Sequence, residues 1–232
     1  FDVVNLEERC EAIKQAFRPV AESYGMDWSL VEAKKRKRMA IFVSKEDHCL
    51  LELLWLWKSG ALHADIEVVV SNHPDMRETV ESFGIPYRHI PVTKERKAEA
   101  EEEQLAALGS GVDVIVLARY MQILSPRFLQ EYPMRIINIH PSFLPAFIGA
   151  KPYEQAYRRG VKLIGATAHY VTEELDAGPI IEQDVLRVTH EQDVEALKQL
   201  GRQVERTVLA RAVGWHLEDR VLVYGNKTIV FP

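Results

Sequence analysis

Three side chains in this sequence, Asn138, His140 and Asp176, offer an amide, an imidazole and a carboxylate. Such a set suits acyl chemistry. The amide donates a hydrogen bond to a carbonyl oxygen as charge develops there. A protonated imidazole does the same or passes a proton. The carboxylate orients or deprotonates a water, or it holds the imidazole in place. The first two lie in RIINIHPSFLPAFIG (135–149), where an apolar, β-branched run ends on Asn138 and His140 and is followed at once by Pro141. A strand over 135–139 puts positions i and i+2 on one face. Amide and imidazole then leave the sheet side by side, and open α/β sheets bind ligands outside the carboxyl ends of their strands. Asp176 lies in HYVTEELDAGP (169–179), where a strand runs into a loop that also carries Glu173 and Glu174. Those two read as solvated acids, whereas Asp176 sits beside small residues and the Gly178–Pro179 turn. Plainer roles stay open at this level: Asn138 and His140 as partners of buried backbone groups, and Asp176 as a turn cap.

Other chemistries find less support. No G-x-S-x-G nucleophile elbow is present. His140, His169 and Asp176 could in principle hold a metal, but no H-E-x-x-H or C-x-x-C spacing accompanies them, and no metal is expected.

The elements that must position these residues follow a βαβ rhythm. Strands are predicted at 39–44, 66–71, 84–92 and 112–117, with helices at 49–57, 76–83 and 94–108 between them. Strands alternating with helices imply a parallel sheet covered on both faces. After residue 150 the rhythm changes. A short helix at 152–159 opens on proline, two strands at 163–171 and 180–188 follow, and a long helix covers 191–217. The tail, RVLVYGNKTIVF, reads as a hairpin turning at Gly225–Asn226. At the other end, Leu6, Cys10, Ile13, Phe17 and Val20 recur at helical spacing, and MDWSLVEA (26–33) alternates like a strand. A lone helix and strand bury too little to make a domain, so residues 1–33 need partners. The basic run KKRKR (34–38) reads as a solvated linker, with a nucleic-acid or import patch as the other reading.

Composition narrows the classes. The 232 residues, 47% of them hydrophobic, suffice for one sizeable core and a small appended unit. A net charge of −5 gives no support to nucleic-acid binding. Cys10 and Cys49 fall in apolar helical patterns and read as buried small hydrophobes, which fits a reducing cytosol. No apolar run approaches a membrane span. The opening FDVVNLEERC lacks the basic and apolar regions of a secretory leader.

NIHPSFLPAF (138–147) followed by GATAHYVTEELDAGP (165–179) resembles the folate-dependent formyl-transfer superfamily over all of 39–232. The resemblance implies a Rossmann-like, mostly parallel α/β sheet with helices on both faces, and it implies Asn138, His140 and Asp176 as the catalytic three. It also implies that LARYMQIL (117–124) binds the pterin through the backbone around Met121, Ile123 and Leu124. The family often has Arg where Gln122 stands, and the loop of His169, Tyr170, Val171 and Thr172 resembles the one that closes over the folate.

Members that use a phosphorylated ribonucleotide carry a glycine-rich loop after the first strand, whose backbone N–H groups cradle phosphate. The equivalent SKEDHCL (44–50) has no glycine and carries Glu46 and Asp47. tRNA-specific members carry a further C-terminal domain for which 39–232 leaves no room, and the basic balance suited to tRNA is missing. Water is left as the formyl acceptor. VSKEDHCLLELLW (43–55) and residues 140–171 resemble the formyltetrahydrofolate deformylase family. That resemblance implies hydrolysis of 10-formyltetrahydrofolate to tetrahydrofolate and formate, which supplies formate for purine biosynthesis and balances one-carbon folate pools. The folate is the substrate and no cofactor is expected. Residues 1–33 resemble the second half of a regulatory ACT domain, a ferredoxin-like α+β unit whose first half is expected to be absent here. An amino-acid effector, a homo-oligomer and a cytoplasmic location follow from the same resemblance. A transferase with a non-phosphorylated amine acceptor, and a non-catalytic folate binder, are the competing readings.

Overall fold

A computed structural model describes residues 6–32, 35–147, 149 and 151–231. The chain divides into two compact units, residues 1–36 and 37–232. In the first, helix α1 (Leu6–Ser23) forms as expected. The strand expected at 26–33 does not: residues 26–32 are irregular, and residue 33 lies outside the described residues. An alternating pattern becomes a strand only when a neighbour takes its N–H and C=O groups, and none of the described residues of this unit supplies one. The segment turns back instead. Met26 N–H donates to Ala21 O at 2.9 Å, and Trp28 meets Phe17 edge-on with ring centroids 5.0 Å apart.

The second unit is a seven-stranded sheet: β1 (Lys37–Val43), β2 (Ala64–Ser71), β3 (Tyr87–His89), β4 (Val114–Ala118), β5 (Ile136–His140), β6 (Leu163–Tyr170) and β7 (Ile180–Arg187). Their spatial order is β3-β2-β1-β4-β5-β6-β7. The first five strands run parallel, β6 runs antiparallel to them, and β7 runs antiparallel to β6. Alternate residues of β1 feed opposite layers. Met39, Ile41 and Val43 pack with Leu50, Leu53 and Leu54 of α2 (His48–Lys58) and with Val208 and Leu209 of α7 (Val194–Leu217). Ala40 and Phe42 pack on the other face with Ala100 of α4 (Lys97–Leu108) and Phe128 of α5 (Pro126–Glu131). A strand buried on both faces must be apolar throughout, which is why its sequence shows no alternation. Helices α3 (Arg77–Ser82) and α6 (Pro152–Arg159) and the hairpin β8 (Val221–Tyr224) and β9 (Lys227–Val230) complete the unit.

Three departures from the sequence pattern have plain causes. The basic run is not all linker: Lys37 and Arg38 open β1, paired with Ala64 and Asp65. Arg38 binds Glu67 through two contacts of 2.9 and 3.0 Å, so these charges meet internal partners. β3 keeps only three residues of the expected nine, because Pro86 and Pro91 flank it and proline cannot donate to a ladder. Helix α5 escaped the pattern because six residues are too few for a helical period. Its signal was local: Ser125 accepts from Phe128 N–H at 3.2 Å, and Pro126 follows it at the first turn.

The partly buried His216, in the last turn of α7, joins that helix to the sheet. The Tyr170 hydroxyl lies 2.8 Å from its Nδ1. Burial, with the Lys37 charge, pushes the imidazole down from 6.5 to about 4, although Asp219 and Asp113 pull the other way. The unfolded chain therefore takes up this proton near pH 6.5 while the folded chain does not, and stability falls as pH drops from about 6.5 to about 4. Measured as Tm against pH, His216→Asn should flatten that slope. An unchanged slope would assign the acid loss to other groups.

Candidate active site

The carboxyl end of β5 carries the two polar candidates, Asn138 and His140. Asn138 is paired with Leu117 of β4 on one side and with His169 of β6 on the other, and His140 is paired with Thr167. Pro141 ends the strand, as its missing N–H requires. Asp176 arrives from the β6–β7 loop with a left-handed backbone, φ 55°. Gly178 makes that approach possible, since a Cβ there would lie 1.9 Å from the Tyr170 carbonyl oxygen. Tyr170 N–H donates to Pro179 O at 2.9 Å, and Asn226 at the hairpin tip donates to Ala177 O at 3.0 Å. The loop is thus pinned on both sides of Asp176.

The three expected catalytic residues come together. His140 Nδ1 is 3.2 Å from Asp176 Oδ2, and His169 Nε2 is 3.8 Å from the other carboxylate oxygen. The Asp176 side chain is 8% exposed. Burial pushes its carboxyl up, but the His140 hydrogen bond, the two imidazoles and the Gly149 backbone outweigh it, and the group lies below its ordinary value. It is an anion at neutral pH. His169 behaves differently. Burial holds its imidazole below the ordinary value, against the opposing pull of the Tyr170 carbonyl and Asp176. Its Nδ1–H donates to Tyr170 O at 2.9 Å, which leaves Nε2 to accept from the Asn138 amide at 3.2 Å. The amide is oriented in this way, with its second N–H left over. Both nitrogens of His140 face acceptor oxygens, Asp176 on one side and Phe147 O at 3.3 Å on the other. The doubly protonated ring satisfies both, and the neutral ring satisfies one.

These groups open into a cleft of about 560 Å³. Met121, Ile123 and Leu124 line it, and Met121 and Ile123 are 63% and 61% exposed, available to an apolar ring. His169, Val171 and Thr172 line it too. Tyr170 does not: strand alternation turns its side chain to the opposite face, against His216.

A second buried group in the cleft was missed by sequence reasoning. Glu205 of α7, 1% exposed, lies 2.9 Å from His48 Nε2, accepts from the Tyr153 hydroxyl at 2.6 Å and faces Arg119 Nε at 3.3 Å. Burial pushes its carboxyl up, but His48 and Arg119 pull it further the other way, below its ordinary value. The signal was legible in principle. Gly201, Val204, Glu205, Val208, Leu209 and Ala212 share the buried stripe of α7, and an acid on an apolar stripe calls for a partner. His48, Cys49 and Glu205 place potential ligand atoms within 4.8 Å of one another. The Arg119 guanidinium occupies the same carboxylate, and its charge opposes a cation there.

A switch-point sheet with an amide, an imidazole and a carboxylate at one strand mouth defines an α/β enzyme built for acyl chemistry. The formyl transferase family profile matches residues 37–213. A formyltetrahydrofolate deformylase of Bacillus subtilis is 60% identical over 232 residues, 100% of this chain and 77% of that protein. One from Mycobacterium tuberculosis H37Rv is 58% identical over 212 residues, 91% of this chain and 68% of that protein. Among solved structures, a formyltetrahydrofolate deformylase from Pseudomonas syringae superposes with a TM-score of 0.93 at 54% identity, covering 96% of this chain and 75% of that one. A glycinamide ribonucleotide transformylase from Symbiobacterium toebii reaches a TM-score of 0.79 at 29% identity, covering 89% and 99%. The chain belongs to the formyl transferase family.

Gly178→Ala tests the seating of the Asp176 loop. Its methyl meets backbone, which cannot turn aside as a side chain would, so the variant should lose about 1–3 kcal/mol. An unshifted urea midpoint would show that the loop relaxes freely.

Proposed function

We propose that this protein hydrolyses 10-formyltetrahydrofolate to tetrahydrofolate and formate. The observation that carries the reading is the joining of Asn138, His140 and Asp176 at one end of a cleft whose wall offers the exposed Met121 and Ile123 to a pterin. Identity of 60% to a named deformylase across the whole chain supports it.

Asn138, fixed by His169, donates its remaining N–H to the formyl oxygen. Asp176, an anion, takes a proton from a water as that water's oxygen attacks the formyl carbon. Protonated His140 exchanges its long contact to Phe147 O for the oxyanion and stabilises the tetrahedral intermediate. The bond between carbon and N10 then breaks, N10 receives the proton held at Asp176, and formate leaves. Met121, Ile123, Leu124 and the loop of His169, Val171 and Thr172 hold the folate, with Tyr170 acting through its backbone.

Water is the acceptor because SKEDHCL offers no phosphate cradle. Glu46 and Asp47 precede α2, and Glu46 binds Arg202 at 2.6 Å. Two carboxylates just before a helix N-terminus set negative charge where a phosphate would have to dock. Residues 1–33 form, in this reading, part of an ACT-like unit responsive to an amino acid. The exposed Phe17 and Val20 of α1 support such a partnered surface. Oligomerisation, a cytoplasmic location and formate supply to purine biosynthesis belong to the same proposal. Among the described residues no helix is long and apolar enough to cross a membrane.

Incubation with 10-formyltetrahydrofolate and no acceptor should release formate. Release only after an amine is added would make the protein a transferase, and tight binding without turnover would make it a folate binder. Losing an oxyanion donor costs ~10²–10³ in rate, so Asn138→Ala should lose at least that in kcat. A loss under about threefold would refute its role. Asp176→Asn should keep the shape and lose the base, and near-normal formate release would move water activation elsewhere.

A further inference from the structure

Arg119 is the first residue past β4, and its φ is 62°, in the left-handed region that glycine occupies without cost. A long, charged side chain held there signals a residue whose placement matters more than backbone comfort. That side chain is 14% exposed, lines the cleft and puts Nε 3.3 Å from Glu205 Oε2. The Nε–H makes no hydrogen bond, so the pair is held by charge and by the space it fills.

The location gives this meaning. The chain turns from β1 towards β2 and β3, then returns to β4 on the other side of β1, so the β1–β4 boundary is the switch point where open α/β sheets take ligands. Val43 is paired with Ala118, and Leu117 with Asn138. Arg119 therefore starts about one strand spacing (~4.8 Å) across and two residues (~6.6 Å) along from Asn138. With a glycine at this position, the buried Glu205 carboxylate would face a space beside the formyl carbon, flanked by His48 and Tyr153. An anionic pocket of that kind suits an amine with hydrogen-bond donors. Arg119 fills the pocket and neutralises it.

We propose that Arg119 is a specificity-determining residue that narrows the acceptor side of the cleft against a second substrate, so that water is the favoured acceptor. This rests on the hydrolase reading. Removing the side chain opens a competing reaction: an amine nitrogen attacks the formyl carbon, the bond from that carbon to N10 breaks, and the proton lost by the amine goes to N10. The products are tetrahydrofolate and a formamide.

The test compares the wild-type protein with R119G, each given 10-formyltetrahydrofolate with and without glycinamide, a small primary amine lacking phosphate. Formate and N-formylglycinamide are both quantified. Wild type should give formate with no more than a trace of formamide, and R119G should raise the ratio of formamide to formate by about tenfold or more over that trace, the discrimination a blocking side chain supplies. The ratio does not depend on how much total activity survives. A folded R119G that gives only formate overturns the proposal. R119N also tolerates this backbone and opens the same space. If neither variant folds, the ion pair exists for stability and the proposal falls. A wild-type protein that releases no formate without an amine sinks the hydrolase reading instead, which keeps the two failures distinct.

Discussion

The 3.2 Å contact between His140 and Asp176 joins two parts of the chain that share no secondary structure, the mouth of a parallel strand and a loop between two antiparallel ones. A carboxylate with 8% exposure is tolerated only when paired. Much of the surrounding structure serves that pairing. Gly178 lets the loop pass the Tyr170 carbonyl, Asn226 of the terminal hairpin holds Ala177, and His169 approaches the second carboxylate oxygen while orienting Asn138. The reversal of sheet direction at β5–β6 has the same consequence. It sets His169 directly opposite Asn138, and the loop that leaves β6 beside Ile136 folds back to bring Asp176 to His140.

The cleft holds two buried carboxylates treated in the same electrostatic way and to different ends. Asp176 and Glu205 are each opposed by burial and rescued by nearby imidazoles, and each stays ionised. Asp176 keeps a face towards the cleft. Glu205 is occupied on all sides, by His48, Tyr153 and Arg119. One faces the cleft, and the other is enclosed by its partners. The same fold can present both because the strand ends of β1, β4 and β5 lie side by side, so that one cleft reaches from the switch point to His140 and Asp176.

Much of this was legible in residue order. The apolar runs of β1, β2, β4 and β5 are rich in Ile and Val and mostly buried, which marks them as strands of a covered sheet. Asn138 and His140 stood out because polar residues interrupt such a run only at its end. Asp176 stood out because it preceded Gly178–Pro179. Less was legible wherever the deciding partner is distant. Residues 26–33 alternate like a strand but find no neighbour among the described residues of their unit. Lys37 and Arg38 looked like solvated charge until Glu67 and Asp219 were placed beside them. Tyr170 looked like part of the folate loop, yet the pleat sends its ring to His216.

The sequence by itself determined the α/β alternation, the strand that ends on Asn138 and His140, the choice of Asn138, His140 and Asp176 as candidate residues and the acids of SKEDHCL that stand where a phosphate cradle would be. These are local properties: periodicity, β-branching, proline and glycine punctuation, and residue type. Only the tertiary structure decided that His169 orients Asn138, that Glu205 meets Arg119, His48 and Tyr153 inside the same cleft, and that Arg119 takes a left-handed backbone to do so. Those contacts join residues up to 157 positions apart. Hydrogen bonds and ion pairs act over a few ångströms, so their partners become known only once the chain has brought them together.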